Sequence, residues 1–526
     1  MGTISIMPWA FAISQGILTY LFGLIMYRVL LSPIAAFPGP FLARTTYLYE
    51  FYYNWIKCGQ YYLKIEEMHQ RYGPIVRVTP TELHIRDPLY YNQLFVTHAV
   101  RKSNAYSRFT QGAGFDDITA ISISHDIHRI VRAPMNPFFS RSGLRRVEYR
   151  VVERVRKLSL RLESEANTGN PVNLNDAFAS LATDVASAIF HEEPSNFLED
   201  EKYNASWWEI LRMGLTTVPL LVELPWIARA ITTPVIKLLT ERLTNWRIWD
   251  DKSRRQIQIT RTRPSATAKT RSDRTVMDSL VQDTQATSIL GEKGFVRLSQ
   301  LIQQAGTHNV SQTLAIIVYF LLRHEDQQEA LRRALEPLFA GDAAQAAPSL
   351  QQMERVPYLT ACIKEGLRLA AGSLNRFPRV SPDAELSFKD WKIPKGTAIS
   401  MTPYWIHMDP EVFPDPGSFN PSRWLCKPAK LATMHRHFVP FSKGSRTCLG
   451  KDLAYMQMYH ALAQLFRPEM PQMTAYDTEE RDVKPVLGLM FSLPELDARG
   501  LRVMVYNKTS LHTAKLRMKE VRPPKA

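Results

Sequence analysis

The chain has 526 residues, of which 45% are hydrophobic and 22% are charged, an ordinary globular composition. Its formal net charge of +15 would suit nucleic acid, a membrane surface or an acidic protein partner. The basic residues are scattered and no nucleic-acid motif accompanies them, so nucleic acid is not an expected partner. The four cysteines lie far apart without a C-x-x-C pair, which argues against a zinc site or a disulfide framework and favours a reduced, cytosol-facing body.

The first 31 residues predict a membrane anchor. No charged residue occurs from Thr3 to Tyr27, and about 20 helical residues suffice to cross a hydrocarbon core. A cleaved signal peptide and a buried helix are the alternatives, but a signal peptide would have a basic leading region and a shorter apolar stretch. The basic residues Arg28, Arg44 and Lys57 follow the run and place the body in the cytosol. We therefore expect a single-pass protein of the endoplasmic reticulum.

A proline-rich hinge over residues 32–45, which includes FPGPF, should connect this anchor to the body. The alternating β-formers of residues 75–86 predict a short hairpin. A basic helix is expected around Asp126–Arg132, ended by the prolines at 134 and 137, and residues 143–260 show helical spacing. The basic run 254–274 is interpreted as a solvated loop.

The longest helix pattern runs from Leu298 to Leu322, and its centre, QQAGTHNVSQ, is small and polar where the flanks are apolar. A further helix is predicted over Arg355–Leu369, followed by irregular, proline-rich chain to Leu425. An apolar helix is expected over Gly450–Phe466. Residues 46–526 are thus predicted to form one large, mainly α domain with small β-sheets.

The strongest chemical signal precedes that last helix, in the loop FSKGSRTCLG from Phe441 to Gly450. A cysteine just before a helix is surrounded by backbone N–H groups and the positive helix end, which favour thiolate over thiol. Glycines at 444 and 450 allow tight turns and close approach of backbone to a flat ligand. The loop resembles the haem-ligand loop of cytochromes P450, F-x-x-G-x-R-x-C-x-G, at every fixed position. The resemblance implies the P450 fold, haem b and Cys448 as the iron ligand.

Two further matches stand upstream in the same order. Glu365 and Arg368 resemble the E-x-x-R of the family, and residues at i and i+3 share a helix face. The segment PSRW, which contains Arg423, resembles the P-E-R-F/W segment of the family. In the family, such residues form a buried network behind the haem, so we expect Glu365, Arg368 and Arg423 to be structural.

The two propionates of haem need cationic partners. The resemblance assigns this role to Arg446 of the cysteine loop, to Arg132 and His128 where many P450s carry W-x-x-x-R, and to Arg376 after the E-x-x-R helix. A surface arginine is the alternative for each of the arginines. Phe441 is expected to lie against the cofactor.

The central helix departs from the family pattern A/G-G-x-D/E-T-T. Ala305 and Gly306 match, and their small size leaves room for dioxygen above the iron, but His308 replaces the acid and Asn309 the alcohol. The acid–alcohol pair normally relays protons. We expect Asn309 to contact oxygen or a water through its amide, and His308, with Thr307 nearby, to deliver protons. A histidine that only faces another helix is the alternative.

Three mechanisms remain open for this helix. Asn309 positions water for the usual chemistry, which we favour; or a substrate hydroxyl supplies the missing group; or the reaction is a rearrangement or dehydration. The stretch from Tyr358 to Leu425 closely resembles fungal P450s of the trichodiene-oxygenase type, which act in secondary metabolism.

The resemblance therefore implies a monooxygenase that inserts one oxygen atom from O2 into a lipophilic substrate, a terpenoid or meroterpenoid. No flavin domain follows the cysteine loop, so electrons are expected from NADPH through a separate NADPH-cytochrome P450 reductase. The alternatives are a P450 with a non-hydroxylating reaction, such as rearrangement, dehydration or coupling, and a non-catalytic haem-binding protein.

Overall fold

The computed structural model describes residues 6–109, 111, 124–225, 241–262, 274–340, 347–370 and 372–507. Helices dominate these residues. In chain order the α-helices are α1 (Ile6–Met26), α2 (Phe41–Thr45), α3 (Leu48–Phe51), α4 (Tyr61–Tyr72), α5 (Tyr91–Leu94), α6 (His125–Arg132), α7 (Asn136–Phe139), α8 (Arg141–Ser164), α9 (Leu174–Phe190), α10 (Ala205–Glu223), α11 (Glu241–Thr262), α12 (Val276–Gln282), α13 (Thr284–Arg323), α14 (Glu325–Leu335), α15 (Leu350–Glu354), α16 (Pro357–Ala370), α17 (Pro403–His407), α18 (Pro428–His437) and α19 (Lys451–Leu465).

The strands are short and lie in four small sheets within the described residues. A five-stranded sheet has the order β1-β2-β8-β5-β3, a three-stranded sheet has the order β4-β12-β9, and β6-β7 and β10-β11 are hairpins. The strands are β1 (Ile75–Thr79), β2 (Glu82–Ile85), β3 (Asn104–Ala105), β4 (Val172–Asn173), β5 (Arg379–Val380), β6 (Leu386–Phe388), β7 (Trp391–Ile393), β8 (Ala398–Ser400), β9 (Gln472–Ala475), β10 (Leu487–Gly488), β11 (Ser492–Leu493) and β12 (Arg502–Tyr506).

Helix α13 is the axis of the core. It confirms the helix predicted from Leu298 to Leu322 and begins earlier, where the Asp283 side chain accepts a hydrogen bond from the Ala286 N–H at 2.8 Å. A non-helical Gly291, with φ of 56°, separates this first part from the rest. The second half is buried all round against α9, α16 and α19, because its apolar residues occupy every face.

Several further predictions are confirmed. The hairpin predicted over residues 75–86 is the antiparallel pair β1–β2, with Ile75 opposite Ile85. The helices predicted around Asp126–Arg132, over Arg355–Leu369 and over Gly450–Phe466 appear as α6, α16 and α19, each within two residues of the expected bounds. Pro137, expected to end α6, lies near the start of α7, where its missing N–H is not required.

Two predictions are wrong. Residues 254–262 of the basic run belong to α11, because Arg254 pairs with Asp250 one turn earlier and Ile257 is buried in the core; residues 263–273 lie outside the described residues. The stretch expected to be irregular up to Leu425 contains β5 to β8. These strands are two or three residues long, too short to show alternation in the sequence.

The N-terminal helix is long and apolar enough to cross a membrane over Trp9–Leu31, with a mean hydropathy of 1.6. Its end is fixed to the body by arginines. Arg28 donates to the Thr45 carbonyl at 2.5 Å, and Arg77 of β1 donates to the Arg28 carbonyl at 2.8 Å. The backbone N–H of Arg77 also donates to the Pro38 carbonyl at 2.7 Å. The proline-rich segment is therefore held against the body along its length.

Candidate active site

The cysteine loop lies between α18 and α19 and is fixed by its own backbone. The Cys448 N–H donates to the Phe441 carbonyl at 3.0 Å, and the Ser445 N–H donates to the Val96 carbonyl at 3.1 Å. Gly444 has a φ of +74°, and a Cβ there would lie 2.3 Å from the Val96 carbonyl oxygen. Only glycine fits at this position, which explains its place in the motif.

Cys448 has an exposed side chain although it lies deep in the protein, where burial raises the pKa of its thiol. The exposure is therefore to an internal space. The Gly450 N–H donates to the sulfur and, with the charges of Arg132 and Lys451, lowers the pKa, whereas Asp452 raises it. A thiol in an enclosed site, with a backbone donor and two cations around it, suits a thiolate bound to a metal.

A group of cations gathers beside the cysteine. Arg132 donates to the Thr447 carbonyl at 2.7 Å, and Arg446 donates to the Ser103 carbonyl at 3.1 Å. Burial and the charges of Arg379 and Arg132 lower the pKa of Arg446 to about 9. Burial and the charges of Arg446, Arg132 and Arg379 lower the pKa of His128 to about 3. The charges of Arg132, Arg446 and Arg379 in a buried site, with the neutral His128 beside them, suit an anionic ligand, as the two haem propionates would be.

Arg379 lies near Arg446 and His128, whereas Arg376 is paired with carboxylates. The Arg376 guanidinium binds Glu82, with an Nε–Oε1 distance of 2.5 Å, and Glu50, with an Nη2–Oε1 distance of 2.6 Å. Those two carboxylates form ion pairs with the Arg376 guanidinium. Propionate contact by Arg376 stays a prediction, and this pairing does not favour it. Arg379 follows three residues later in RFPR and enters β5, which pairs with β8. In the sequence, the second arginine of RFPR is the signal that indicates Arg379 as a candidate.

Helix α13 carries the small residues Ala305 and Gly306. Ala305 is exposed in the middle of a core helix, so it too faces an internal space. A Cβ on Gly306 would lie 3.2 Å from the Ala186 Cβ of α9, so the glycine allows the two helices to pack closely. Asn309 lies one turn after Ala305 and shares its face.

Thr307, Ser311 and His308 of the same stretch of α13 each form a hydrogen bond within the protein. The Thr307 hydroxyl donates to the Gln303 carbonyl at 2.7 Å and lies 2.9 Å from the Thr183 hydroxyl of α9. The Ser311 hydroxyl donates to the His308 carbonyl at 2.9 Å. His308 Nε2 lies 2.8 Å from the Ser492 carbonyl oxygen. Contact of Asn309, one turn after the exposed Ala305, with oxygen or a water stays a prediction.

Glu365, Arg368 and Arg423 form a buried network. Glu365 and Arg368 are both fully buried, with an Nη2–Oε1 distance of 2.8 Å, and Arg423 Nε lies 2.9 Å from the same oxygen. Arg368 also donates to the His407 and Ser418 carbonyls. The indole of Trp424 donates to Glu365 Oε2 at 2.9 Å, a partner that sequence reasoning missed. Every strong donor and acceptor here is satisfied within the protein, as a structural role requires.

Phe441 is partly buried and packs on Tyr455 of α19, with ring centroids 5.4 Å apart. Its carbonyl accepts the Cys448 N–H described above. It therefore fixes the entry of the loop, and its contact with a cofactor stays a prediction.

The chain is similar to known proteins over most of its length. The family model for cytochrome P450 matches residues 46–491. The cytochrome P450 monooxygenase oblB of Cochliobolus heterostrophus is 37% identical over 493 residues, which cover 92% of this chain and 94% of that protein. A fusicoccadiene C-8 hydroxylase of Phomopsis amygdali is 36% identical, over 91% and 93% of the two chains. A stellatic acid synthase of Emericella variicolor is 32% identical, over 92% and 93%.

Cys448 borders an internal space and has cationic groups beside it, and Ala305 on α13 also faces internal space. The family match covers most of the chain and decides the assignment. The chain belongs to the cytochrome P450 family and is a P450 monooxygenase.

Proposed function

We propose that this monooxygenase oxygenates a polycyclic terpenoid in fungal secondary metabolism. The names of two relatives, a fusicoccadiene hydroxylase and a stellatic acid synthase, support a terpenoid class. The observation that carries the reaction type is the exposure of Cys448 and Ala305 toward internal space within a largely apolar core. Such a site favours a lipophilic substrate.

The residues fit haem. Cys448 would ligate the iron, and Arg132, Arg446, Arg379 and His128 would surround the propionates. When bound, the haem supplies the activation of dioxygen: one oxygen atom enters the substrate and the other leaves as water, with two electrons and two protons consumed. The Gly450 N–H and Arg132 stabilise the negative charge of the Cys448 sulfur.

We assign proton supply to a water held by Asn309. Its amide both donates and accepts hydrogen bonds, so it can orient a water although it has no hydroxyl proton of its own. The neighbouring hydroxyls of Thr307 and Ser311 donate to helix carbonyls instead. Ala305, one turn earlier, leaves the space beside that water open.

For electron supply we propose a separate NADPH-cytochrome P450 reductase at the endoplasmic reticulum membrane. The basic charge of the chain suits an acidic partner surface. Residues 1–31 would form the anchor, 32–45 the fixed connection and 46–526 the haem domain. The apolar helix Trp9–Leu31 and the arginine contacts at its end support this arrangement.

To test this proposal, the full chain is expressed with a reductase in microsomes, and polycyclic terpene hydrocarbons are added as substrates. We expect products heavier by one oxygen atom, and we expect them only when NADPH and reductase are both present. Products without added oxygen would favour rearrangement or dehydration instead. A haem-loaded enzyme that converts no terpene would contradict the substrate class.

A further inference from the structure

His308 contacts the hairpin β10–β11 near the C-terminus of the described chain. Its Nε2 lies 2.8 Å from the Ser492 carbonyl oxygen, and a carbonyl can only accept, so Nε2 carries the proton. Burial lowers the pKa of His308, which keeps the ring neutral, and the hydrogen bond to Ser492 opposes this only in part. The proton that the ring holds is therefore used in a structural contact.

The same face of α13 makes a second contact with the chain leading into that hairpin. Gln312, one turn after His308, donates through its side-chain amide to the Val483 carbonyl. Residues four apart on a helix share a face. His308 and Gln312 therefore hold the segment 483–492 against α13 at two points, both through backbone carbonyls.

The hairpin so held carries apolar side chains at its turn. Leu489 and Met490 line a pocket with Val218 and Val222 of α10, and Phe491 lies beside His308, with ring centroids 5.8 Å apart. The Leu374 N–H also donates to the Ser492 hydroxyl, at 2.6 Å. Ser492 is thus fixed between α13 and the chain that follows α16.

The direction of the His308 side chain differs from that of its neighbour Asn309. Successive residues on a helix are turned by about 100°, so His308 and Asn309 point in different directions. Asn309 shares the face of the exposed Ala305, whereas the partial exposure of His308 is toward a small pocket that also contains Trp208, Leu215 and Phe491. The Nε2 proton of His308 is donated to the Ser492 carbonyl and is therefore engaged in the hairpin contact.

We propose that His308 is a positioning residue that fixes the hairpin Leu487–Leu493 against α13 and thereby determines which carbon of the substrate is oxygenated. Leu489 and Met490 of the turn line a pocket with Val218 and Val222, so a rigid polycyclic substrate that contacts this pocket would lie differently if the turn shifted. This inference extends the proposed function, because its product readout uses a terpenoid substrate.

The experiment compares His308→Asn with His308→Gln in the full-length, haem-loaded enzyme. The amide of glutamine reaches as far as Nε2 of histidine, whereas the amide of asparagine is too short to reach the Ser492 carbonyl. His324→Asn, at the exposed end of the same helix, is the matched control. Hydrogen exchange of the hairpin amides is measured without substrate, and product distribution and product formed per NADPH are measured with it.

In His308→Asn, the loss of one hydrogen bond should make the hairpin amides exchange roughly three- to ten-fold faster. Its product distribution should broaden to new positions while product per NADPH stays near the wild-type ratio. His308→Gln should restore both, and His324→Asn should change neither. If His308→Asn does not retain haem while His308→Gln does, a positional role is again supported.

A fall in product per NADPH in both His308 variants, with unchanged hairpin exchange, would overturn the proposal in favour of proton delivery. Unchanged exchange together with unchanged products in His308→Asn would overturn it as well. Because exchange is measured without substrate, failure of the terpenoid assignment would appear separately, as a wild-type enzyme that converts no terpene.

Discussion

The loop that carries Cys448 and the stretch of α13 that carries Asn309 are built in different ways. Around Cys448, backbone contacts, a required glycine and a cationic group fix the geometry, and the residues follow the family pattern. On α13, the acid and the alcohol of that pattern are replaced by His308 and Asn309. The residues proposed to hold the cofactor thus follow the family pattern closely, whereas those proposed for proton supply depart from it.

The largest effect is expected in the buried network. Glu365→Gln removes the charge that Arg368 and Arg423 share, and leaving buried charges unpaired should cost about 3–5 kcal/mol of unfolding free energy. Thermal unfolding and haem content measure this. Glu329→Gln, in an exposed pair with Arg333, is the control and should change stability by less than about 0.5 kcal/mol. Equal effects of the two variants would show that the network is not structural.

A pH effect should follow from His407, whose carbonyl accepts a hydrogen bond from Arg368. Burial and the charge of Arg368 lower the pKa of His407 to about 3, and its Nε2 accepts the Val439 N–H at 3.0 Å. The unfolded chain would take up the proton near pH 6.5, so this contribution to stability is complete above that pH and is lost as the pH falls toward 3. By pH 4 the loss should be about 3 kcal/mol.

His407→Gln keeps an acceptor that does not titrate, so its unfolding temperature should fall less steeply between pH 6.5 and 4 than that of the wild type. Parallel curves for the two proteins would show that His407 does not control acid stability.

The cationic group should determine haem retention. Arg379→Leu and Arg446→Leu each remove a charged donor, worth about 1.5–3 kcal/mol, and should release haem roughly ten- to a hundred-fold faster to a haem-scavenging protein. Arg376→Leu should instead lower thermal stability, because it leaves Glu82 without its buried partner. Faster haem release from the Arg376 variant than from the Arg379 variant would reverse the assignment.

The smallest effect concerns Asn309 of α13. Asn309→Ala should lower the product formed per NADPH about two- to ten-fold, the worth of one hydrogen bond to a water. Asn309→Thr, which supplies a hydroxyl of the family type, should restore most of that ratio. An unchanged ratio in Asn309→Ala would exclude a water-holding role.

Much of the fold could be predicted from the sequence, because long helices such as α13 and α19 carry many periodic residues. The strands β5 to β8 could not, since two or three residues show no alternation. Within the site, the Cys448 loop was identified through contiguous residues. Arg379 and Trp424 were missed because their roles depend on tertiary contacts with distant segments, and the direction of His308 depends on a hairpin 184 residues away.

The central claim is that Cys448 provides the thiolate of a haem enzyme. The most direct test is the spectrum of the reduced carbon monoxide complex of the full-length protein. Ligation of iron by Cys448 should give the red-shifted Soret band of thiolate-ligated haem in the wild type and in Cys426→Ser, and this band should be lost in Cys448→Ser. A wild-type protein without that band, or a Cys448→Ser variant that keeps it, would contradict the account.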